Sequence, residues 1–314
     1  MGCTLCPRQC PADRSRGESG FCGMSSEVYV ARVAPHFWEE PCISGEKGSG
    51  TVFFSGCNLR CVYCQNHKIA AGKAGRKFSV IQLSEAFYSL QEQGCHNINL
   101  VTPSHYIPQI AEALRMARLS VPVVYNTSSY ECVDALRSME GLADIYLADF
   151  KYPDEAAARK YSHAPDYPAV AKAAIAEMVR QVGTAEYEKD DRVWKNATEY
   201  PDGALMRRGV IVRHLLLPGR TEEAKQVLRY LYETYGDTVA VSIMNQYTPL
   251  SHAAGFPELC RRVTEAEYEE VIGFALELGI GHGFLQEGET AEESFIPDFE
   301  EQLSDNCGPK REKK

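Results

Sequence analysis

Short aliphatic segments alternate with amphipathic helical segments through the middle of the chain, and this alternation constrains the fold more than any other feature. Six β-branched and aliphatic segments are typical of buried strands: 51–55, 97–101, 122–126, 144–149, 210–217 and 238–243. The segments between and after them have apolar residues at helical spacing: 81–93, 108–118, 131–139, 169–182, 222–234 and 266–278. Because each helix must return the chain to the same edge, the strands should be parallel. The sequence therefore predicts an α/β fold whose sheet is open or curled into a barrel.

Three other regions interrupt or flank this pattern. Residues 183–208 are polar and too long for an ordinary connection, which predicts an excursion over one face, of the kind that often covers an active site. The tail, 287–314, has an acidic run followed by a basic end, and this predicts a flexible, solvated segment. We therefore expect a Cys-rich head with the segment that joins it to the body (1–48), the body itself (49–286) and the tail.

The overall charge and the cysteine content restrict the classes of function. A formal net charge of −10 and a pI near 5.4 disfavour nucleic acid and anionic membrane surfaces as partners. The chain has no apolar stretch that could span a bilayer and no secretion signal, so a cytoplasmic location is expected. Twelve cysteines in such a chain favour metal binding over a disulfide framework.

Three cysteines directly follow the first predicted strand, at the spacing Cys-x3-Cys-x2-Cys. They are Cys57, Cys61 and Cys64. Thiolates suit zinc or Fe–S clusters, and a ferredoxin-type cluster takes four of them. Three would leave one iron open for a small molecule, as catalytic zinc sites keep one position open. The alternative is a structural zinc site completed by Cys42 or His67.

The triad, with Tyr63 just before its last cysteine, resembles the motif of the radical S-adenosylmethionine (SAM) superfamily. The longer string over 52–66 resembles the activating enzymes of glycyl radical enzymes, pyruvate formate-lyase activase being the type, and especially an activase-related branch with a Cys-rich head. The resemblance implies a partial (β/α)6 barrel, a [4Fe-4S] cluster on the triad and SAM bound at the open iron. It also implies a 5′-deoxyadenosyl radical as the agent that takes hydrogen from substrate, and an electron donor such as flavodoxin or ferredoxin.

Charged residues at two strand ends resemble the SAM site of this family. Asp149 and Lys151 end the fourth predicted strand, and Arg213 lies in the fifth. Because strand ends of a parallel barrel point into its mouth, all three side chains should face SAM. An exposed Asp149–Lys151 pair and a barrel ion pair at Arg213 are the alternatives.

Three further positions are assigned from the same resemblance. Tyr63 would flank the adenine or simply fill space beside the cluster. Asn126 and Thr127 stand where activases carry an Asp-Thr pair that contributes to a monovalent cation site, and the neutral Asn weakens that expectation. The family's Gly-Gly-Glu string, which holds the SAM amino group, is missing at 102–106, so Thr102 or its carbonyl is the expected replacement.

The head carries four more cysteines over a short span. Cys3, Cys6, Cys10 and Cys22 are separated by residues typical of tight turns. They predict a zinc knuckle or a second Fe–S cluster, which would stabilise a segment too small to fold on its own core. Zinc would be structural, whereas a cluster could relay electrons or bind substrate. Reduced thiols without metal are the alternative.

Three functions follow. The first is an activase that takes hydrogen from a glycine of a glycyl radical enzyme. The second is radical modification of another peptide or a small metabolite, which the missing Gly-Gly-Glu string favours slightly. The third is a non-catalytic Fe–S or zinc protein, which the strand-end triad and its charged neighbours disfavour.

Overall fold

The computed structural model describes residues 2–72, 74–189, 192–194 and 203–285. Its strands are β1 (Val28–His36), β2 (Ser49–Phe54), β3 (Arg76–Phe78), β4 (Ile98–Val101), β5 (Val123–Thr127), β6 (Ile145–Asp149), β7 (Glu186–Lys189), β8 (Arg192–Trp194), β9 (Leu205–Leu215), β10 (Ala240–Met244) and β11 (Gly283–Leu285). Its helices are α1 (Pro41–Ser44), α2 (His67–Ala70), α3 (Val80–Glu92), α4 (Ile107–Ala117), α5 (Val133–Arg137), α6 (Glu155–Ser162), α7 (Tyr167–Val182), α8 (Thr221–Tyr235) and α9 (Glu265–Leu278). All six predicted strands and all six predicted helices are present.

The central sheet is mostly parallel, with the strand order β11-β10-β9-β6-β5-β4-β2-β1-β3. Every neighbouring pair from β2 to β11 is parallel, whereas β1 is antiparallel to both β2 and β3. Because neighbouring parallel strands follow chain order, each crossover steps in the same direction and keeps its helix on one face of the sheet. The predicted α/β class is confirmed, and this winding is consistent with a partial barrel.

The two faces of the sheet have different chemistry. Residues facing the helices, such as Val52, Leu100 and Val212, belong to the main hydrophobic core. Their neighbours in sequence point to the other face, since side chains alternate along a strand. Polar side chains are buried on that face, including Asn99 and Asn126. The sheet therefore encloses a polar interior near the carboxyl ends of its strands.

The amino ends of the parallel strands are closed by apolar side chains. Cys42 and Ile43 of α1 pack there against Val124, Ile145 and Ile211. The described part of the 183–208 segment lies at the same end, because β7 pairs antiparallel with the first residues of β9. The expectation that this segment covers an active site is wrong for its described part. The buried side chains of this described part belong to the apolar cluster at the amino ends of the strands.

Helix α6 was not predicted from the sequence. Asp154 caps its start by accepting hydrogen bonds from the amides of Ala156 and Ala157, at 2.8 and 2.9 Å. The helix ends at Ser162, which lies against the loop that follows β2. Within the described ranges, no helix is both long and apolar enough to cross a membrane. The predicted flexible tail, 287–314, lies outside those ranges.

Candidate active site

One cavity of about 240 Å³ opens at the carboxyl ends of the parallel strands. Nine side chains that the sequence analysis assigned to the cluster or to SAM line it: Cys57, Cys61, Tyr63, Cys64, Thr102, Asn126, Asp149, Lys151 and Arg213. They come from the ends of β4, β5, β6 and β9 and from the loop after β2. The fold thus brings together residues that are up to 156 positions apart in the sequence (213 minus 57).

The three cysteines of the triad are partly buried free thiols on the loop between β2 and α2. Among the described cysteines, no other lines the cavity. Burial raises the pKa of Cys61 and of Cys64, and Lys151 offsets part of this effect on the pKa of Cys61. Bound metal would have to supply the positive charge that keeps these thiols ionised at neutral pH.

The structure argues against a single zinc ion on the triad. Cys42, one proposed fourth ligand, is buried in α1 at the opposite end of the sheet, so that prediction is wrong. His67, the other candidate, stacks on His252 with ring centroids 4.0 Å apart. In the described part of the chain, no three His, Cys, Asp or Glu side chains are grouped as one bound ion requires. Three thiols without a fourth suit a cluster, whose thiolates bind separate irons.

A buried ion-pair network lies beside the triad. The carboxylate of Asp149 accepts from Lys151 Nζ at 2.7 Å and from Arg213 Nε at 2.9 Å. Burial opposes ionisation of Asp149, but Arg213 and Lys151 hold its pKa below the usual value. The side chains of all three residues are 13–15% exposed, so the expected alternative of an exposed Asp149–Lys151 pair is wrong.

Glu39 is a cavity residue that was not predicted from the sequence. It follows β1, and its carboxylate reaches the cavity. Arg213 Nη1 donates to its Oε2 at 3.1 Å, while the amides of Asn126 and Asn99 donate to its Oε1 at 3.1 and 3.2 Å. Arg213 also donates to Asn126 Oδ1 at 2.8 Å. Glu39 and Asp149 therefore hold the guanidinium of Arg213 from two sides.

Two carboxylates and two cations line this part of the cavity: Glu39 and Asp149 with Arg213 and Lys151. Burial raises the pKa of Glu39, and the charge of Arg213 counteracts part of that rise. The same two effects act on the pKa of Glu40, which lies behind the cavity wall.

The loops after β4 and β5 are tied together by Glu131. Its carboxylate accepts hydrogen bonds at 2.5 Å from both Ser104 and Thr127. Burial raises the pKa of Glu131 to about 7, although these hydrogen bonds lower it. Thr102 has a left-handed backbone (φ +60°), and its amide donates to the carbonyl of Asn126 at 3.0 Å.

The expected cation site at Asn126 and Thr127 has no free side-chain oxygen in this structure. Asn126 Oδ1 accepts from Arg213. Thr127 Oγ1 donates to Glu131 and accepts from the amide of Ser129 at 3.1 Å. The two side chains are occupied by the protein itself, which weakens the case for a monovalent cation there.

The Cys-rich head packs on the loop that carries the triad. Arg8 donates to the carbonyls of Asn58 at 2.9 Å and of His163 at 2.6 Å. A Cβ at Gly56 would lie 2.3 Å from Cγ of Met24 and 2.7 Å from the carbonyl oxygen of Cys22. The absence of a side chain at Gly56 therefore lets the head approach the residue next to Cys57.

Inside the head, the thiols of Cys10 and Cys22 lie near the same glycine, Gly20. Cys10 Sγ and Cys22 Sγ are 3.3 and 3.9 Å from the point that a Cβ at Gly20 would occupy. The amide of Phe21 donates to Cys10 Sγ at 3.2 Å. Burial raises the pKa of Cys6 to about 12. The segment over 2–24 has one short 3-10 turn, Arg14–Arg16, as its regular structure.

A mostly parallel α/β sheet with a three-cysteine loop after its first parallel strand defines the class of protein. The model of the Radical SAM superfamily matches residues 51–231, more than half of the chain. The chain belongs to the radical SAM superfamily, and it is accordingly an enzyme of radical chemistry that uses a [4Fe-4S] cluster and SAM. The matched region contains the triad, Asp149, Lys151 and Arg213.

Other similar proteins are distant. The "Uncharacterized protein MJ0674" of Methanocaldococcus jannaschii is 24% identical over 282 residues, which cover 87% of this chain and 74% of that protein. A crystal structure of Streptococcus suis SuiB bound to the precursor peptide SuiA has a TM-score of 0.48 and 12% identity, over 74% of this chain and 46% of that one. SuiB without the peptide has a TM-score of 0.46 and 9% identity, over 74% and 47%. The chain thus spans a little under half the length of these solved structures, and likenesses this distant do not indicate a substrate.

Proposed function

We propose that this enzyme cleaves SAM reductively at a [4Fe-4S] cluster held by Cys57, Cys61 and Cys64, and that it modifies a peptide or a small metabolite. One observation carries the proposal. The three thiols share a cavity with a buried ion-pair network at the carboxyl ends of parallel strands, where such folds carry their active sites.

The residues fit a cluster with one open iron. Three soft ligands are present and no fourth cysteine of the described chain lines the cavity. Held by Cys57, Cys61 and Cys64, a reduced cluster would supply one electron to bound SAM, whose sulfur–C5′ bond would break to give methionine and the 5′-deoxyadenosyl radical that takes hydrogen from substrate. Acid–base groups of the protein are not required for this chemistry.

The charged residues are proposed to orient SAM. Arg213 and Lys151 provide positive charge for its carboxylate. Glu39 and Asp149 provide negative charge for its ammonium and sulfonium groups. The carbonyl of Thr102 remains the proposed contact for the amino group, and the ring of Tyr63 lines the cavity for the adenine.

The substrate is proposed from the wall of the cavity and from a departure at 102–106. The wall has apolar side chains at Phe53 and Leu215 and amides at Gln65 and Gln246, which suits a substrate of mixed polarity. The Gly-Gly-Glu string of the activases is replaced by a turn whose Ser104 is bound to Glu131. Activation of a glycyl radical enzyme is the second candidate, supported by the resemblance over 52–66.

For the head, a second Fe–S cluster is proposed ahead of a zinc ion, because no three of its described thiols are grouped as one bound ion requires. An electron donor such as flavodoxin or ferredoxin completes the proposal. The thiols of Cys3, Cys6, Cys10 and Cys22 are the proposed ligands of the head. Because the head packs on the triad loop, its metal would also stabilise that loop.

The test is anaerobic reconstitution with iron and sulfide, followed by reduction with dithionite in the presence of SAM. We expect 5′-deoxyadenosine from the wild type and none from Cys57→Ala, Cys61→Ala or Cys64→Ala. Cys95→Ala, a buried thiol outside the site, is the matched control and should keep full activity. A well-reduced, iron-loaded wild type that forms no 5′-deoxyadenosine would rule the proposal out.

The two substrate candidates are separated by a second assay. The reduced enzyme and unlabelled SAM are incubated with each candidate substrate: peptides, metabolite pools or a glycyl radical enzyme. Each candidate is supplied once in deuterated form and once in ordinary form. Deuterium transfer from substrate into 5′-deoxyadenosine identifies the class. A glycyl radical signal by electron paramagnetic resonance would favour the second candidate.

A further inference from the structure

The sulfur of Cys61 receives a hydrogen bond from a buried hydroxyl. Ser162 Oγ, at the end of α6, lies 2.9 Å from Cys61 Sγ. Tyr152 Oη lies 2.7 Å from Ser162 Oγ, and Tyr63 Oη lies 2.7 Å from Tyr152 Oη. All three hydroxyl residues are at most 6% exposed. They form one continuous hydroxyl chain (Tyr63, Tyr152, Ser162) that ends on a triad sulfur.

The direction of this hydroxyl chain is fixed by its last member. A cysteine that binds iron is a thiolate and can only accept, so Ser162 must donate its single proton to Cys61. Tyr152 must then donate to Ser162, because the proton of Ser162 is already used. Tyr63 must donate to Tyr152 for the same reason. The three O–H bonds are therefore oriented in series, each donating to the next member of the chain and the last donating to the sulfur of Cys61.

The backbone holds the end of α6 in this position independently of the hydroxyls. The amide of Val62 donates to the carbonyl of Tyr161 at 2.8 Å. Arg8 of the head donates to the carbonyls of Ser162 at 3.2 Å and of His163 at 2.6 Å. The end of α6 is thus held through its main-chain carbonyls, by the amide of Val62 and the side chain of Arg8, and removing the hydroxyl of Ser162 should leave the loop in place.

We propose that the hydroxyl chain raises the reduction potential of the cluster bound at Cys61. Hydrogen bonds to ligand sulfurs are one of the protein's means of setting the potential of Fe–S clusters, because they withdraw electron density from the thiolate. Hydroxyls in series polarise one another, by about 10–30% per bond. Tyr63, Tyr152 and Ser162 are positioning residues in this role, and the inference rests on the proposed function.

The test is the midpoint potential of the reconstituted cluster, measured by a redox titration followed by electron paramagnetic resonance. Ser162→Ala should lower the potential. At a fixed solution potential the ratio of reduced to oxidised cluster should fall about tenfold, which corresponds to about 59 mV for a one-electron couple. Tyr152→Phe should give a smaller decrease and Tyr63→Phe the smallest, since each removes a more distant bond. Ser162→Thr keeps the hydroxyl and should restore the potential.

Tyr187→Phe is the matched control. Tyr187 is a buried tyrosine whose hydroxyl bonds His282 at 2.6 Å, and it packs at the amino ends of the strands. The midpoint potential of the cluster in Tyr187→Phe should equal that of the wild type. Wild-type potentials in both Ser162→Ala and Tyr152→Phe would overturn the inference while leaving the proposed function intact. If Ser162→Ala fails to load iron, Tyr152→Phe decides alone, and failure of the wild type to form any cluster contradicts the proposed function instead.

Discussion

Asp149→Asn removes the charge at the centre of the ion-pair network with almost no change of shape. The carboxylate accepts from Lys151 at 2.7 Å and from Arg213 at 2.9 Å, and each of the three side chains is 13–15% exposed. In the variant, the amide oxygen can accept from one cation, but the NH2 group then faces the other cation as a second donor. Lys151 and Arg213 are left with insufficient negative charge.

Breaking a buried ion pair by removing one partner costs about 3–5 kcal/mol. Because Arg213 retains Glu39 at 3.1 Å, we expect the lower end of that range, about 3 kcal/mol. For a chain of this size each kcal/mol lowers the melting temperature by about 2–4 °C, so a decrease of roughly 6–12 °C is expected.

The assay is thermal unfolding of the metal-free protein, followed by circular dichroism, across a range of pH. The pKa of Asp149 is lowered in the folded state. Its contribution to stability is therefore present above the unfolded pKa of about 3.9 and is lost as the pH falls through the folded value. The difference between wild type and Asp149→Asn should accordingly be largest near neutral pH and should narrow in acid.

Asp134→Asn is the matched control, because Asp134 forms a pair with Arg137 on the surface, where its side chain is 84% exposed. Its effect on the free energy of unfolding should be below about 1 kcal/mol. A melting temperature of Asp149→Asn within 2 °C of the wild type at neutral pH, where ~6–12 °C is expected, would refute the assignment of a charged, buried network.

Three more predictions concern residues around the cavity. Glu131→Gln should remove a pH dependence of the free energy of unfolding. The folded-state pKa of Glu131 is raised to about 7, so its stabilisation is present below its unfolded-state pKa and is lost as the pH rises through 7. Denaturant titrations at pH 5 and 8 test this, and equal pH profiles of wild type and variant would contradict it. Glu39→Gln should weaken SAM binding about tenfold, as the loss of one charge-assisted hydrogen bond at Arg213 predicts. Glu46→Gln, at an exposed position, should leave binding unchanged. Calorimetry on the cluster-loaded enzyme measures both affinities. Gly56→Ala should destabilise the protein by about 1–3 kcal/mol, because its Cβ would meet Met24 and Cys22. Gly141 also has a positive φ, but no atom lies within 4 Å of a Cβ added there. Gly141→Ala, in the same unfolding assay, therefore separates the effect of the clash from that of backbone strain.

The strands and helices of the body could be predicted because their signals are local. Apolar runs with helical or strand periodicity marked all six predicted strands and all six predicted helices. Helix α6 lacked such a signal, since its buried face consists of small residues and one aromatic, Ala157, Ala158 and Tyr161. The placement of 183–208 failed for another reason: the length of a segment does not say which end of the sheet it covers.

Asp149 and Arg213 were assigned from the resemblance to the family, and their position in one cavity agrees with the rule that residues at the carboxyl ends of parallel strands meet in the mouth of the fold. Glu39 could not be found in this way, because it enters the sheet interior from a segment before the first parallel strand. Its only signal was a Glu-Glu pair directly ahead of the apolar Pro41–Ser44 helix, where two adjacent carboxylates are costly unless they have partners.

The hydroxyl chain on Cys61 was also invisible in the sequence. Tyr63, Tyr152 and Ser162 share no motif, and they meet only because the end of α6 packs on the triad loop. The motif predicts that a cluster can bind, whereas contacts of this kind depend on the tertiary fold.

Cys57, Cys61 and Cys64 are proposed to hold a cluster with one iron open to SAM. This proposal is tested most directly by the electron paramagnetic resonance spectrum of the reduced, reconstituted enzyme before and after addition of SAM. We expect a [4Fe-4S]⁺ signal that changes on SAM binding and is absent from Cys57→Ala. A cluster whose signal is unaffected by saturating SAM, or a triad that binds zinc and no iron under the same conditions, would contradict it.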